Sequence, residues 1–122
     1  MTQEQKDLLL KDLCARLPYG VKVQFWKYKD NKEIIDTLYN IDADGFCNTD
    51  EFDSLLKLED IKPYLFPLSS MTEEQKTSHN FLKHSAYANP IKLIDWYNKN
   101  HFDYRGLIPM GSAIDATGKN IY

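Results

Sequence analysis

Side chains that carry oxygen recur at the spacing of a calcium-binding loop between residues 40 and 51. Calcium prefers about six to eight oxygen ligands, which a loop can supply from alternate positions when a glycine allows a sharp turn in its middle. Gly45 stands at that middle position. The candidate ligands are Asn40, Asp42, Asp44, the backbone carbonyl of Phe46, Asn48 and Glu51. The pattern therefore indicates one possible calcium site, in which Glu51 would be the bidentate carboxylate.

The pattern resembles EF-hand and dockerin loops, yet three features favour a hairpin turn. Asn40 replaces the usual first Asp, and the sequence has no second copy of a loop that normally works in pairs. The entering helix would be residues 31–39, where β-branched residues and Tyr favour a strand, although a helix also fits residues 33–39. Asp44 and Gly45 are typical of a hairpin turn. We expect a β-hairpin with a polar tip and keep a calcium-binding module as the alternative.

Residues 21–28 alternate between apolar and polar side chains, as a half-buried strand does. The alternation places Val21, Val23 and Phe25 in the core and Trp26 and Tyr28 on the opposite face. There the two rings could stack on nucleic-acid bases while neighbouring lysines contact phosphates. Because the net charge of −3 is unfavourable for nucleic acid, we expect a helix to cover this face and to bury both rings.

A third cluster of reactive side chains lies at residues 101–105. His101, Asp103, Tyr104 and Arg105 combine a titratable ring, a carboxylate, a phenol and a guanidinium. Tyr and Arg are common anchors of protein interfaces, so this segment is a candidate partner-binding site together with the two aromatic residues of the strand. The structural alternative, which we favour, is an ion pair between Asp103 and Arg105, with His101 favoured as a cation by the end of a helix.

Nothing in the sequence predicts an enzyme. It has no zinc-protease helix motif, no serine-nucleophile elbow and no glycine-rich phosphate loop. His79 and His84 lie five residues apart and share no helix face. We expect no catalytic residues and no cofactor, with calcium only under the alternative.

The length of 122 residues predicts one domain, residues 1–122. No apolar run approaches the roughly 20 residues that cross a bilayer, and the polar start lacks the features of a signal peptide. We therefore expect a cytoplasmic protein without membrane contact. Its two cysteines should be reduced, with Cys14 buried among leucines. The oligomeric state stays open.

Capping signals and apolar periodicity predict the elements that must position these residues. We expect a helix over residues 2–16 capped by Thr2, a sheet over residues 20–62 closed by Pro63, and a helix over residues 72–83 capped by Ser70. A last helix should run from Pro90 to Asn100, followed by an irregular tail or short strand. The fold class is α+β: a small antiparallel sheet, bent or barrel-like, with an N-terminal helix and two C-terminal helices.

Three stretches resemble a family of short uncharacterised proteins encoded by gut bacteria and their phages or mobile elements. They are residues 8–21 (LLLKDLCARLPYGV), 61–75 (IKPYLFPLSSMTEEQ) and 101–111 (HFDYRGLIPMG). The resemblance implies a cytoplasmic protein and carries no active site over. Together with the absence of catalytic motifs, it predicts a non-enzymatic accessory or protein-interaction module with an unknown protein partner.

Overall fold

A computed structural model of the protein describes residues 1–51 and 55–122. The fold class is α+β, as predicted. The elements follow in chain order: α1 Gln3–Arg16, β1 Lys22–Lys27, β2 Lys32–Ile41, β3 Phe46–Thr49, β4 Leu56–Lys57, β5 Ile61–Leu65, α2 Glu73–His84, α3 Pro90–Lys99 and β6 Ile114–Asp115. Short 3-10 turns lie at residues 17–19, 58–60 and 68–70.

The strands form a curled sheet in the order β4-β3-β2-β1-β5-β6. Neighbouring strands are antiparallel except for β5 and β6, which pair in parallel at Tyr64 and Ile114. A parallel pair needs a long crossover connection, and α2, α3 and part of the tail supply it. The sheet is therefore mixed at one edge, where the sequence predicts an antiparallel arrangement throughout.

Strand β2 confirms that residues 33–39 are extended and not helical. Its first part, Lys32–Thr37, pairs with β1, and its second part, from Leu38 to Ile41, pairs with β3. The register shifts between Leu38 and Asn40, which marks a bulge. A bulge bends a strand and increases its twist, so this position helps the sheet to curl.

The main core lies between α1 and the inner face of the sheet. Leu9 and Leu13 of α1 are fully buried against the inward residues of β1, which are Val23 and Phe25 as predicted. Leu38 and Cys47 extend this core along β2 and β3. Each buried apolar side chain contributes roughly 1.5–3 kcal/mol relative to an exposed one, so this layer holds α1 on the sheet.

A second apolar cluster joins α3 to the segment that follows it. Its buried members are Met71, Tyr97 and Phe102, and Trp96 packs beside them. The rings of Trp96 and Phe102 are stacked with centroids 5.4 Å apart. This cluster fixes the path of residues 101–105 after the helix.

Two details of the chain differ from the sequence-based expectations. The cap of α2 is Thr72, which forms a capping box with Gln75, whereas the Ser70 hydroxyl donates to the carbonyl of Pro67. Pro63 lies within β5 and does not close it. Because β6 pairs only from Tyr64 onward, Pro63 stands at an open edge, where its missing N–H is tolerated.

Candidate functional site: the open face of the sheet

The predicted calcium-loop residues lie on the β2–β3 hairpin. Asn40 in β2 and Asn48 in β3 are cross-strand partners. The Oδ1 atom of Asp42 accepts the N–H groups of Asp44 and Phe46 at 2.9 and 3.0 Å. Gly45 adopts a φ of 83°, in the left-handed region that glycine tolerates. The predicted polar hairpin tip is confirmed.

This backbone lacks the entering helix that a calcium loop of the EF-hand type requires. Residues 32–39 are strand, and Leu56, which also fits an exiting helix in the sequence pattern, lies in β4. Phe52, which fits the same pattern, lies outside the described residues. Within residues 1–51 and 55–122 no three Asp, Glu, His or Cys side chains are placed to share a metal ion. The Asp42 carboxylate instead stabilises the turn, because it accepts the backbone N–H groups of Asp44 and Phe46.

Calcium is expected to leave the thermal midpoint of unfolding unchanged, because the hairpin positions its carboxylates for the turn and not around an ion. Isothermal calorimetry and thermal unfolding with calcium, compared with sodium chloride of equal ionic strength, test this expectation. A saturable heat that disappears in the Glu51→Gln variant would contradict it and restore the calcium alternative.

The cluster at residues 101–105 is built into the interior of the protein. Both carboxylate oxygens of Asp103 accept backbone N–H groups, from Leu107 and Ile108, each at 2.9 Å. The predicted ion pair between Asp103 and Arg105 is therefore wrong. The carboxylate is held by the turn that follows it, and Arg105 finds another partner.

That partner is Asp12 of α1, a residue that sequence reasoning missed. Its oxygens contact Nε of Arg105 at 3.2 Å and Nε of Arg16 at 2.8 Å, and both Asp12 and Arg16 are fully buried. Both guanidinium groups lie over the ring of Tyr104. Asp12, Arg16, Tyr104 and Arg105 thus form one network that joins the buried face of α1 to the segment after α3. An acid and a base four residues apart among leucines were the only sequence signal.

His101 is neutral in this environment, contrary to the prediction of a helix-stabilised cation. Its ring stacks on Tyr122 with centroids 3.7 Å apart and planes 10° apart. Burial, with the nearby charge of Arg16, lowers the pKa of His101 to about 4. Desolvation of the charged form outweighs the helix dipole here. Asp103, Tyr104 and Arg105 thus have structural partners for their polar groups, whereas Nδ1 of His101 is buried without a hydrogen-bond partner.

Cys14 is exposed on α1, although its leucine neighbours predict burial, because the buried face of the helix holds Asp12, Leu13 and Arg16. Cys47 is buried, and burial raises the pKa of its thiol to about 12. A thiol with so high a pKa is a poor nucleophile.

The outer face of the sheet carries an apolar strip that no described element covers. Trp26 is 42%, Tyr28 83%, Ile35 48% and Tyr39 69% exposed. The expected cover over Trp26 and Tyr28 is wrong, because both C-terminal helices pack beyond the far edge, next to β5 and the tail. We call these four residues the aromatic strip.

Strand register shows how the members of the aromatic strip are arranged on the outer face. Gln24 pairs with Ile35 and Trp26 pairs with Glu33, so Trp26 and Ile35 are diagonal neighbours. The Tyr28 ring meets the Trp26 ring edge-on at 6.5 Å. Tyr39 lies four residues beyond Ile35 on β2, so the strip runs along that strand.

A cleft of about 470 Å³ opens at the Tyr39 end of the aromatic strip. It is lined by Tyr39, Asn48, Thr49 and Asp50. The buried carboxylate of Asp36 accepts the backbone N–H of Glu51 at 2.8 Å, and the N–H of Asp50 donates to the carbonyl of Thr37 at 3.0 Å. These bonds fix the chain beside Tyr39. Sequence reasoning found the period of β2 but not which of its faces is inward.

A second apolar groove lies between the two C-terminal helices. It is lined by Thr77, Ser78, Phe81, Leu82 and Trp96. His79 beside it bonds the Tyr97 hydroxyl at 2.7 Å, which joins α2 to α3. The lining carries no charged side chain, so it offers no electrostatic indication of a ligand.

Comparison with known proteins adds no family assignment: no family model, curated protein or solved structure matches the chain. Across the described ranges, the helices are all too short or too polar to span a bilayer.

Proposed function

We propose that the chain is a non-enzymatic protein-interaction module that binds its partner through the aromatic strip. The observation that supports this proposal is the exposure of four large apolar side chains on one face of the sheet. Apolar surface in contact with water is unfavourable, and larger exposed patches commonly mark interaction sites. Trp and Tyr are also the side chains that contribute most to binding at protein interfaces.

The charges beside the strip favour a protein over a nucleic acid. Glu33 stands directly opposite Trp26, and Asp50 lines the cleft with Tyr39. Asp50 next to Tyr39 would repel phosphates, and at the Trp26 end three lysines are nearly balanced by Asp30 and Glu33, whereas base-stacking surfaces are usually bordered by an excess of cations. The outer face therefore suits a protein chain better than a single-stranded nucleic acid.

A non-enzymatic role is supported by the places of the side chains that could do chemistry. His101 is stacked on Tyr122, Cys47 is buried, and Asp12 is bonded to two arginines. These groups stabilise the fold, and none of them lines the cleft at Tyr39. In keeping with the family resemblance, we place this accessory module in the bacterial cytoplasm, with a phage or mobile-element origin.

A photoreactive amino acid placed at Ile35 tests the proposed surface in the native host. We expect one discrete crosslinked protein, because Ile35 lies at the centre of the aromatic strip. The same amino acid at Ile91, which is 73% exposed on α3, is the matched control and should give no such adduct. Mass spectrometry identifies the crosslinked protein, which is then purified and titrated against the module.

Replacement of Trp26 by Ser should weaken binding of that purified partner roughly 10-fold or more, as truncation of an interface anchor does. Tyr87→Ser, at an 82% exposed position outside the strip, should leave the affinity unchanged. Equal affinity for wild type and the Trp26→Ser variant, with both folded by circular dichroism, would exclude the aromatic strip as the docking surface.

A further inference from the structure

Charge is distributed unevenly along the aromatic strip. Between Lys32 and Lys57 the sequence has seven acidic residues and no basic one. Most of them belong to the β2–β3 hairpin and the residues just after it, at the Tyr39 end of the strip. In this region Asp36 is buried, whereas Asp42, Asp44 and Asp50 are exposed. The cleft beside Tyr39 is lined by the carboxylate of Asp50, and the exposed Asp42 and Asp44 lie at the tip of the same hairpin. The nearby Lys22, which pairs with Thr37, has its Nζ engaged with the carbonyl of Ile121.

The opposite end of the strip, at the β1–β2 turn, is almost neutral. Residues 27–33 contain three lysines and two acidic residues, which leaves one positive charge. Lys27 there forms an ion pair with Asp30 at 2.8 Å. This weak positive charge does not complement the acidic end, so the aromatic strip of a second copy would be a poor match for it.

We infer that the partner inserts a basic side chain, of which arginine fits best, into the cleft beside Tyr39. This inference rests on the proposed function of the aromatic strip. An arginine guanidinium stacks on aromatic faces and donates paired N–H groups to a carboxylate. The cleft offers the 69% exposed ring of Tyr39, the carboxylate of Asp50 and the amide of Asn48.

The cleft is already shaped before a partner arrives. Asp36 holds the backbone of Thr37 and Glu51 through its two oxygens, each at 2.8 Å. The N–H of Asp50 donates a hydrogen bond to the carbonyl of Thr37. This bond joins the segment that contains Asp50 to the strand that contains Tyr39. A binding surface that is fixed in advance loses less conformational entropy when it binds. Asp36 acts here as a positioning residue.

Nuclear magnetic resonance with small probes tests the inference without a known partner. The probes are a capped arginine amide and the capped citrulline amide, which has nearly the same shape and no charge. At millimolar concentration, the arginine probe should shift the backbone resonances of Tyr39, Asn48 and Asp50 in a saturable manner. The citrulline probe should shift them at least several-fold less. Added salt should weaken the arginine shifts, because screening acts on exposed charges.

Two charge-matched variants give the inference its control. Asp50→Asn should abolish most of the arginine-induced shifts, whereas Glu74→Gln, which removes one exposed charge from α2, should preserve them. Equal shifts with arginine and citrulline, shifts that Asp50→Asn leaves intact, or no shift with arginine would each overturn the basic-partner inference. In the host crosslinking experiment, an adduct that requires Trp26 but persists in Asp50→Asn would refute this inference alone. Loss of the Ile35 adduct altogether would refute the docking surface itself.

Discussion

Replacement of Asp12 by Ala is expected to lower the free energy of unfolding by about 3–5 kcal/mol, the largest effect of any single substitution considered for this protein. The carboxylate accepts from both Arg16 and Arg105, and Arg16 is fully buried. Without Asp12, the Arg16 guanidinium keeps its charge in the interior and loses its acceptor at Nε. Urea denaturation followed by circular dichroism measures the loss. Asp7→Ala, at an exposed position of the same helix, should change stability by less than about 0.5 kcal/mol.

A second variant separates the unpaired charge from the lost packing. Asp12→Leu combined with Arg16→Met replaces the buried pair with apolar side chains of similar size, and it should recover part of the stability lost in Asp12→Ala. A loss below about 1 kcal/mol in Asp12→Ala would show that Arg16 reaches solvent or another acceptor, and the buried network would then contribute little.

The protein should also lose about 2–3 kcal/mol of stability as the pH falls from about 6.5 to about 4, through His101 alone. The pKa of His101 is lowered from its ordinary 6.5 to about 4, first by burial and then by the charge of Arg16. In this pH window the unfolded chain binds a proton at His101 and the folded chain does not. Stability therefore falls with decreasing pH, and the contribution of this group levels off once the pH is well below about 4.

His101→Asn is the matched control, since asparagine tolerates the φ of 61° at this position and does not titrate. The wild type should lose stability with acidification faster than the variant between neutral pH and about pH 4, measured by urea denaturation at each pH. Parallel pH profiles for the two proteins would show that His101 takes up its proton as readily in the folded chain as in the unfolded one, which its burial beside the charge of Arg16 opposes.

The fold followed largely from signals that are local in the sequence. Thr2 with Gln5 specified the start of α1, the β-branched run specified β2, and Asp44 with Gly45 specified its turn. Each depends on residues within a few positions of one another, so propensity and capping describe them well. The parallel strand β6 lies about 50 residues from its partner β5, and no local pattern encodes that pairing.

The candidate site was only partly visible for a similar reason. Period-two alternation identified the exposed side of β1, and with it Trp26 and Tyr28, but it could not show that no helix covers that side. In β2 the alternation left open which face is inward, so Ile35 and Tyr39 were not recognised. The contact between Asp12 and Arg105 joins residues 93 positions apart and depends on tertiary packing alone.

Ile35 and Tyr39 both lie on strand β2, and the strand therefore fixes the distance between these two exposed side chains. At roughly 3.3 Å per residue, the two positions are separated by about 13 Å. A ligand strand lying alongside would match them with contact residues four apart. A ligand helix, at about 1.5 Å per residue, would need contacts roughly nine residues apart, which is two and a half turns. The geometry of one strand thus sets a spacing rule for any binding sequence.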